Sequence, residues 1–81
     1  ANINKVVETS LKQIQDIEII EKYSKMPEDL VELSELRKNN SEISLKTLGE
    51  MMNPPVSKST VAYKMKKIRD IANKIKKDLT K

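Results

Sequence analysis

The chain has 81 residues, enough for one small domain, with 37% hydrophobic residues, no Phe or Trp, and a net charge of +4. The absence of Cys excludes a disulfide framework and a thiolate metal site, and the absence of His removes the commonest general base and metal ligand. With no paired carboxylate constellation in their place, no apolar run near the roughly 20 residues of a membrane span and no signal peptide, an enzyme is the least supported class, and no cofactor, metal or membrane partner is expected.

The core must be aliphatic. One Gly and three Pro do not suit a turn-rich β domain, and an abundance of Lys, Glu, Leu and Ile favours helix. A first helix is predicted from about Ile3 to Tyr23. Ile3, Val6, Val7, Leu11, Ile14 and Ile17 recur at three- and four-residue steps and share a face, which Ile19 and Ile20 broaden; Asn2 is a candidate cap. Pro27 then suits a first helical position, and Glu28 and Asp29 suit the positive end of a helix. Leu30, Leu33 and Leu36 supply the buried face of this second helix, which ends near Asn39-Asn40, residues that tolerate helix-ending backbone angles.

Ser44 is a good N-cap for a short third helix with Leu45, Leu48, Met51 and Met52 on its inner face. Gly49, inside that helix, costs about 1 kcal/mol against Ala, so a close approach by a neighbouring helix is expected there. Asn53-Pro54-Pro55 stops the helix, because two prolines cannot continue its hydrogen bonds. Ser57 then caps a fourth helix whose apolar residues Val61, Met65, Ile68, Ala72, Ile75 and Leu79 form a regular seam, with Ile71 alongside. The fold class is therefore all-α: four helices with short links and a long first helix. The chain starts at Ala1 rather than Met, and the expectation is one domain over residues 1–81 that is a fragment of a longer protein.

The charge is uneven. Residues 1–44 carry six basic and nine acidic residues (−3), whereas residues 45–81 carry ten and three (+7). Such asymmetry points to a polyanion-binding end and a second end with another task. Two helices over about residues 45–70, joined by a proline turn with the second bearing the charge, follow helix-turn-helix logic, in which the second helix enters the major groove of double-stranded DNA. Lys58 suits phosphate or guanine acceptors; Ser57, Ser59 and Thr60 offer hydroxyls, and the Thr60 methyl suits a thymine methyl. Ala62 permits close approach, Tyr63 adds a ring and a hydroxyl, and Lys64, Lys66 and Lys67 extend the basic face, with Arg69 as its continuation. Taken singly, these residues also read as ordinary first-turn and solvated surface positions.

The run SLKTLGEMMNPPVSKSTVAYKMKKIRDIANKI resembles the C-terminal helix-turn-helix domain of the WhiA regulators. The resemblance is carried by Ser44-Leu45-Lys46, Leu48-Gly49-Glu50, Pro54-Pro55, Ser57-Lys58-Ser59, Val61 and Lys66-Lys67-Ile68, with Pro27, Leu30, Leu33 and Leu36-Arg37 similar to the preceding helix. It implies a domain similar to the promoter-reading region of sigma factors. It further implies a bacterial, cytoplasmic and nucleoid-associated transcriptional regulator of sporulation, or of cell division and chromosome segregation. The partner it implies within the full-length protein is an N-terminal LAGLIDADG-like domain without nuclease activity. Thr60 stands where the family commonly has Gly, Ala62-Tyr63 where it has Asn-His, and Lys64 and Lys66 replace arginines and their bidentate fork.

A second reading is a helical protein-interaction module, in which the acidic half docks a partner domain or sigma-factor machinery and Met51 and Met52 form an adaptable contact surface. RNA is the weaker nucleic-acid option, since two tyrosines give little stacking surface. The oligomeric state is open at this level.

Overall fold

The computed structural model describes residues 2–80, with side chains from residue 8 onward. Four helices are present: α1 Asn2–Tyr23, α2 Glu28–Asn39, α3 Leu45–Met51 and α4 Lys58–Leu79. The expected roles of Asn2, Ile3, Val6 and Val7 lie outside the described side chains.

Local chemistry sets most boundaries. Pro27 sits just before α2 with φ −57° and ψ 142°, and its carbonyl accepts from the N–H of Leu30 at 2.9 Å. Asn40 ends α2 from an extended φ of −139° rather than a left-handed one. Its side-chain Nδ2 donates to the Leu36 carbonyl at 2.9 Å, so it satisfies a terminal carbonyl without a glycine-like turn. Ser44 and Ser57 are both working N-caps, their hydroxyl oxygens accepting from the N–H groups of Thr47 (3.2 Å) and Thr60 (3.3 Å).

One core joins the four helices. Ile17 and Ile20 of α1, Leu30 and Leu33 of α2, Leu48 of α3, and Val61, Met65, Ile68 and Ala72 of α4 are buried, together with Met26 and Met52 from the links. Leu36, Leu45, Val56, Ile71 and Ile75 pack against its edge. Truncating one of the fully enclosed leucines to Ala would cost about 2–5 kcal/mol.

Three apolar residues expected inside lie outside. Leu11 is 49% exposed because α1 turns Ser10 rather than Leu11 inward, and Ser10 accepts a hydrogen bond from buried Arg37. Met51 is 44% exposed. The short α3 is rolled so that Leu48, Gly49 and Met52 face the core, and a residue three after Leu48, on the far side from Gly49, is carried out of that sector. Leu79 is exposed at the very end of α4.

Gly49 is the point of closest approach between α3 and the turn leading to α4. A Cβ there would collide with the Val56 carbonyl oxygen and lie 3.1 Å from Val61 Cγ2. The Gly49 carbonyl accepts from the N–H groups of Met52 (3.3 Å) and Val56 (2.9 Å), which folds the turn back on the helix end. The neighbour expected from sequence is thus both the turn and α4. The turn, which holds a cis Asn53–Pro54 bond, is also tied to α2 by Glu32 Oε2, which accepts from the Asn53 N–H at 2.9 Å.

Candidate nucleic-acid interface

α4 carries Lys58, Lys64, Lys66, Lys67, Arg69, Lys74, Lys76 and Lys77 against only Asp70 and Asp78. Its apolar seam is turned into the core, so periodicity obliges its polar residues to line the opposite side and both flanks. Ser57, Lys58, Ser59, Ala62, Tyr63 and Lys66 are exposed, and Thr60, Lys64 and Lys67 are half-buried. Tyr63 projects with 63% of its surface accessible, and Lys67 Nζ lies 5.6 Å from its ring centroid, within cation–π range.

Seven of the nine expected residues fall into three rows, with Lys66 on the boundary of two, while Ser57 and Lys58 stand at the start of the helix. Ser59, Tyr63 and Lys66 form the crest of the helix. Thr60, Lys64 and Lys67 descend on the flank toward α2. There Lys64 Nζ donates to the Asp29 backbone carbonyl at 2.9 Å, and Lys67 Nζ pairs with Asp29 Oδ2 at 3.2 Å. Donation from Lys67 holds the Asp29 carboxyl below its ordinary value of 3.8. Two lysines read from sequence as free surface cations are therefore engaged by one residue of α2.

The third row, Ala62 and Lys66 with Arg69, faces α1 across a groove of about 290 Å³, also lined by Lys12, Gln13 and Leu45. Gln13 Oε1 is buried without a partner. Lower on this side Lys76 Nζ pairs with the buried Asp16 carboxylate at 3.3 Å, fixing α4 to α1. Sequence reasoning missed Asp29 and Lys12, because each reaches α4 only through packing of distant helices.

Ser57 performs the structural task expected of it. Its hydroxyl caps the helix and lies 3.2 Å from Thr60 Oγ1, so these two side chains order the first turn while Lys58 and Ser59 point away. No group of side chains able to hold a metal ion occurs among the described residues, and no described helix is long and apolar enough to cross a membrane.

A short capped helix, a proline turn and a longer capped helix packed on it through a glycine contact define a helix-turn-helix domain, here buttressed by two preceding helices. The family model of the WhiA C-terminal HTH domain matches residues 1–72. Among curated proteins, "Probable cell division protein WhiA" of Clostridium acetobutylicum is 44% identical over 81 residues, covering 96% of this chain and 26% of that relative. The proteins of the same name from Ruminiclostridium cellulolyticum and Staphylococcus aureus are each 41% identical, over 81 and 80 residues, and the match again covers 26% of their length. No solved structure matches. The chain belongs to the WhiA C-terminal helix-turn-helix family, and it spans about a quarter of the length of these relatives.

Proposed function

We propose that this domain binds double-stranded DNA, with the first three turns of α4 in the major groove and α3 bracing them from behind. The observation that carries this reading is the orientation of α4: its seam is buried while Lys58, Ser59, Ala62, Tyr63 and Lys66 stand exposed together at its capped start. A helix of 10–12 Å diameter fills a major groove about 12 Å wide, so crest residues meet base edges and flank residues meet the phosphate rims. Lys58, Ser59, Ala62 and Tyr63 take the base-facing role. Lys66 reaches the rim. Ser57 and Thr60 position the first turn against phosphate, and Lys64 and Lys67 reach the backbone on the α2 side once they leave Asp29.

On this reading residues 1–81 act as one binding unit of a longer transcriptional regulator, whose remainder supplies an N-terminal LAGLIDADG-like domain and whose place is the bacterial nucleoid. The name borne by the relatives supports a role in cell division. The absence of family-type Asn-His at Ala62-Tyr63 supports a base preference of this chain's own.

The test is a titration of the labelled domain with duplex DNA, followed residue by residue in NMR. Shifts over residues 57–69 and an affinity falling steeply with salt are expected. Lys58→Ala should cost about 1–3 kcal/mol and relax preference at one base pair if Lys58 contacts a base, or flatten the salt dependence if it contacts phosphate. Shifts confined to residues 8–40 would refute the reading and favour a protein-docking role.

A further inference from the structure

The groove between α1 and α4 gathers three cations from two helices: Lys12 of α1, and Lys66 and Arg69 of α4. Lys64 and Lys67 are held by Asp29, and Lys76 by Asp16. Lys12, Lys66 and Arg69 have no ion pair with any described residue. Lys58, Lys74 and Lys77 of α4 are also without an ion pair to any described residue but lie outside the groove. The acid that shares the groove, Asp16, is buried and already paired with Lys76, so it does not neutralise them. A concave strip with an excess of unpaired cations fits an anion, and Ala62 keeps its wall low beside the exposed crest of α4.

We propose that this groove seats the sugar–phosphate backbone of the same duplex, with Lys12 of α1 as a phosphate contact opposite Lys66 and Arg69. The inference rests on the DNA-binding reading above and adds a helix to it. Packed helices lie 8–10 Å apart, so α1 stands one helix width to the side of α4. With α4 filling a groove about 12 Å wide, a neighbour at that offset lies over the rim, where the phosphates run. Lys12 therefore supplies affinity and register rather than base preference. Arg69 can offer two parallel donors to one phosphate, which Lys12 and Lys66 cannot.

The experiment is fluorescence anisotropy of this chain with a labelled mixed-sequence duplex at several salt concentrations. The variants are Lys12→Ala, Lys12→Arg, Arg69→Ala and Lys58→Ala, with Lys22→Ala as a control for total charge, since Lys22 lies on α1 outside the groove. Each phosphate contact contributes about 0.9 to the slope of log affinity against log salt. Lys12→Ala should flatten that slope by about 0.9, so that a fourfold rise in salt costs the variant about 3.5-fold less affinity than it costs the parent. The loss should be equal on every duplex, Lys12→Arg should restore the slope, and Lys22→Ala should leave it unchanged. A parental slope for Lys12→Ala, beside weakened binding by Lys58→Ala, overturns the groove contact while leaving the α4 reading intact. Parental binding by both overturns the two together. Lys12 is exposed, and equal thermal unfolding of its variants confirms that the comparison is between folded proteins.

Discussion

Lys67 Nζ lies 3.2 Å from Asp29 Oδ2, so a residue in the first turn of α2 holds a lysine from the third turn of α4 across 38 positions of sequence. The same residue's backbone carbonyl accepts from Lys64 at 2.9 Å. Asp29 thus stands at the edge of the surface proposed to meet a polyanion, occupying two cations that DNA would recruit, Lys67 with its carboxylate and Lys64 with its backbone carbonyl. Both sides of the pair are partly open to water, so exchange of Asp29 for phosphate is inexpensive.

Removing that competitor should strengthen DNA binding. Asp29→Asn keeps the backbone carbonyl for Lys64, frees Lys67 and deletes a negative charge from the rim. A few-fold gain in affinity for a mixed-sequence duplex is expected by anisotropy, larger at low salt than at high. Equal or weaker binding would place Lys67 away from the duplex.

The pair also sets the sign of an acid effect. Asp29 is held below its ordinary 3.8, first by the hydrogen bond from Lys67, so its contribution to stability is complete above 3.8 and disappears as pH falls through the depressed value. Lys38 behaves oppositely. Glu21, at 2.9 Å, and then Glu35 raise it above 10.5, so its contribution is complete below 10.5 and disappears as pH climbs through the raised value. Thermal unfolding followed against pH should show Asp29→Asn differing from the parent only above the acid limb, and Lys38→Met only below the alkaline one.

Gly49→Ala should destabilise the fold despite the better helix propensity of Ala. The propensity gain is about 1 kcal/mol. Against it stands a methyl forced into the Val56 carbonyl, which is backbone and is tied to Gly49 through the adjoining N–H of Val56. A net loss of about 1–3 kcal/mol is expected in chemical denaturation, with the turn displaced and DNA binding weakened beside it.

Arg37 should prove indispensable for a different reason. It is 2% exposed, and its Nη1 donates to Ser10 Oγ (3.1 Å) and to the carbonyls of Asn40 (3.3 Å) and Ile43 (2.8 Å), joining α1, the end of α2 and the link into α3. No carboxylate pairs with it among the described residues, and burial pushes its pKa down. Arg37→Ala strips two carbonyls and a hydroxyl of their donor and leaves a hole, so a loss on the order of 3 kcal/mol is expected. Faster amide exchange over 40–48 should accompany it. Arg37→Lys should recover part of the loss, since all three bonds come from one nitrogen and an ammonium also carries three donors.

The two serine caps separate stability from binding. Ser44→Ala and Ser57→Ala should each cost about 1 kcal/mol of folding stability in denaturant titrations. Only Ser57→Ala should also reduce affinity for DNA beyond that effect, since Ser57 alone stands at the start of α4.

Some of this was legible before any fold was known. The caps at Ser44 and Ser57, the stop at Pro54-Pro55 and the seam of Val61, Met65, Ile68 and Ala72 depend on interactions within four residues, and a linear sequence records those directly. Gly49 announced a close contact because a glycine inside a helix is costly, though not which atoms made it. What only the tertiary structure decided is how the helices are rotated and set against one another. That rotation put Ser10 inside and Leu11 outside, turned Met51 to solvent, brought Asp29 to Lys67 and set Lys12 across from Arg69. Hydrophobic burial is non-directional, so a stripe of apolar residues identifies a face only to within a residue or two. The final angle is chosen by contacts between parts of the chain that are far apart in sequence, such as Arg37 with Ser10 and Val56 with Gly49.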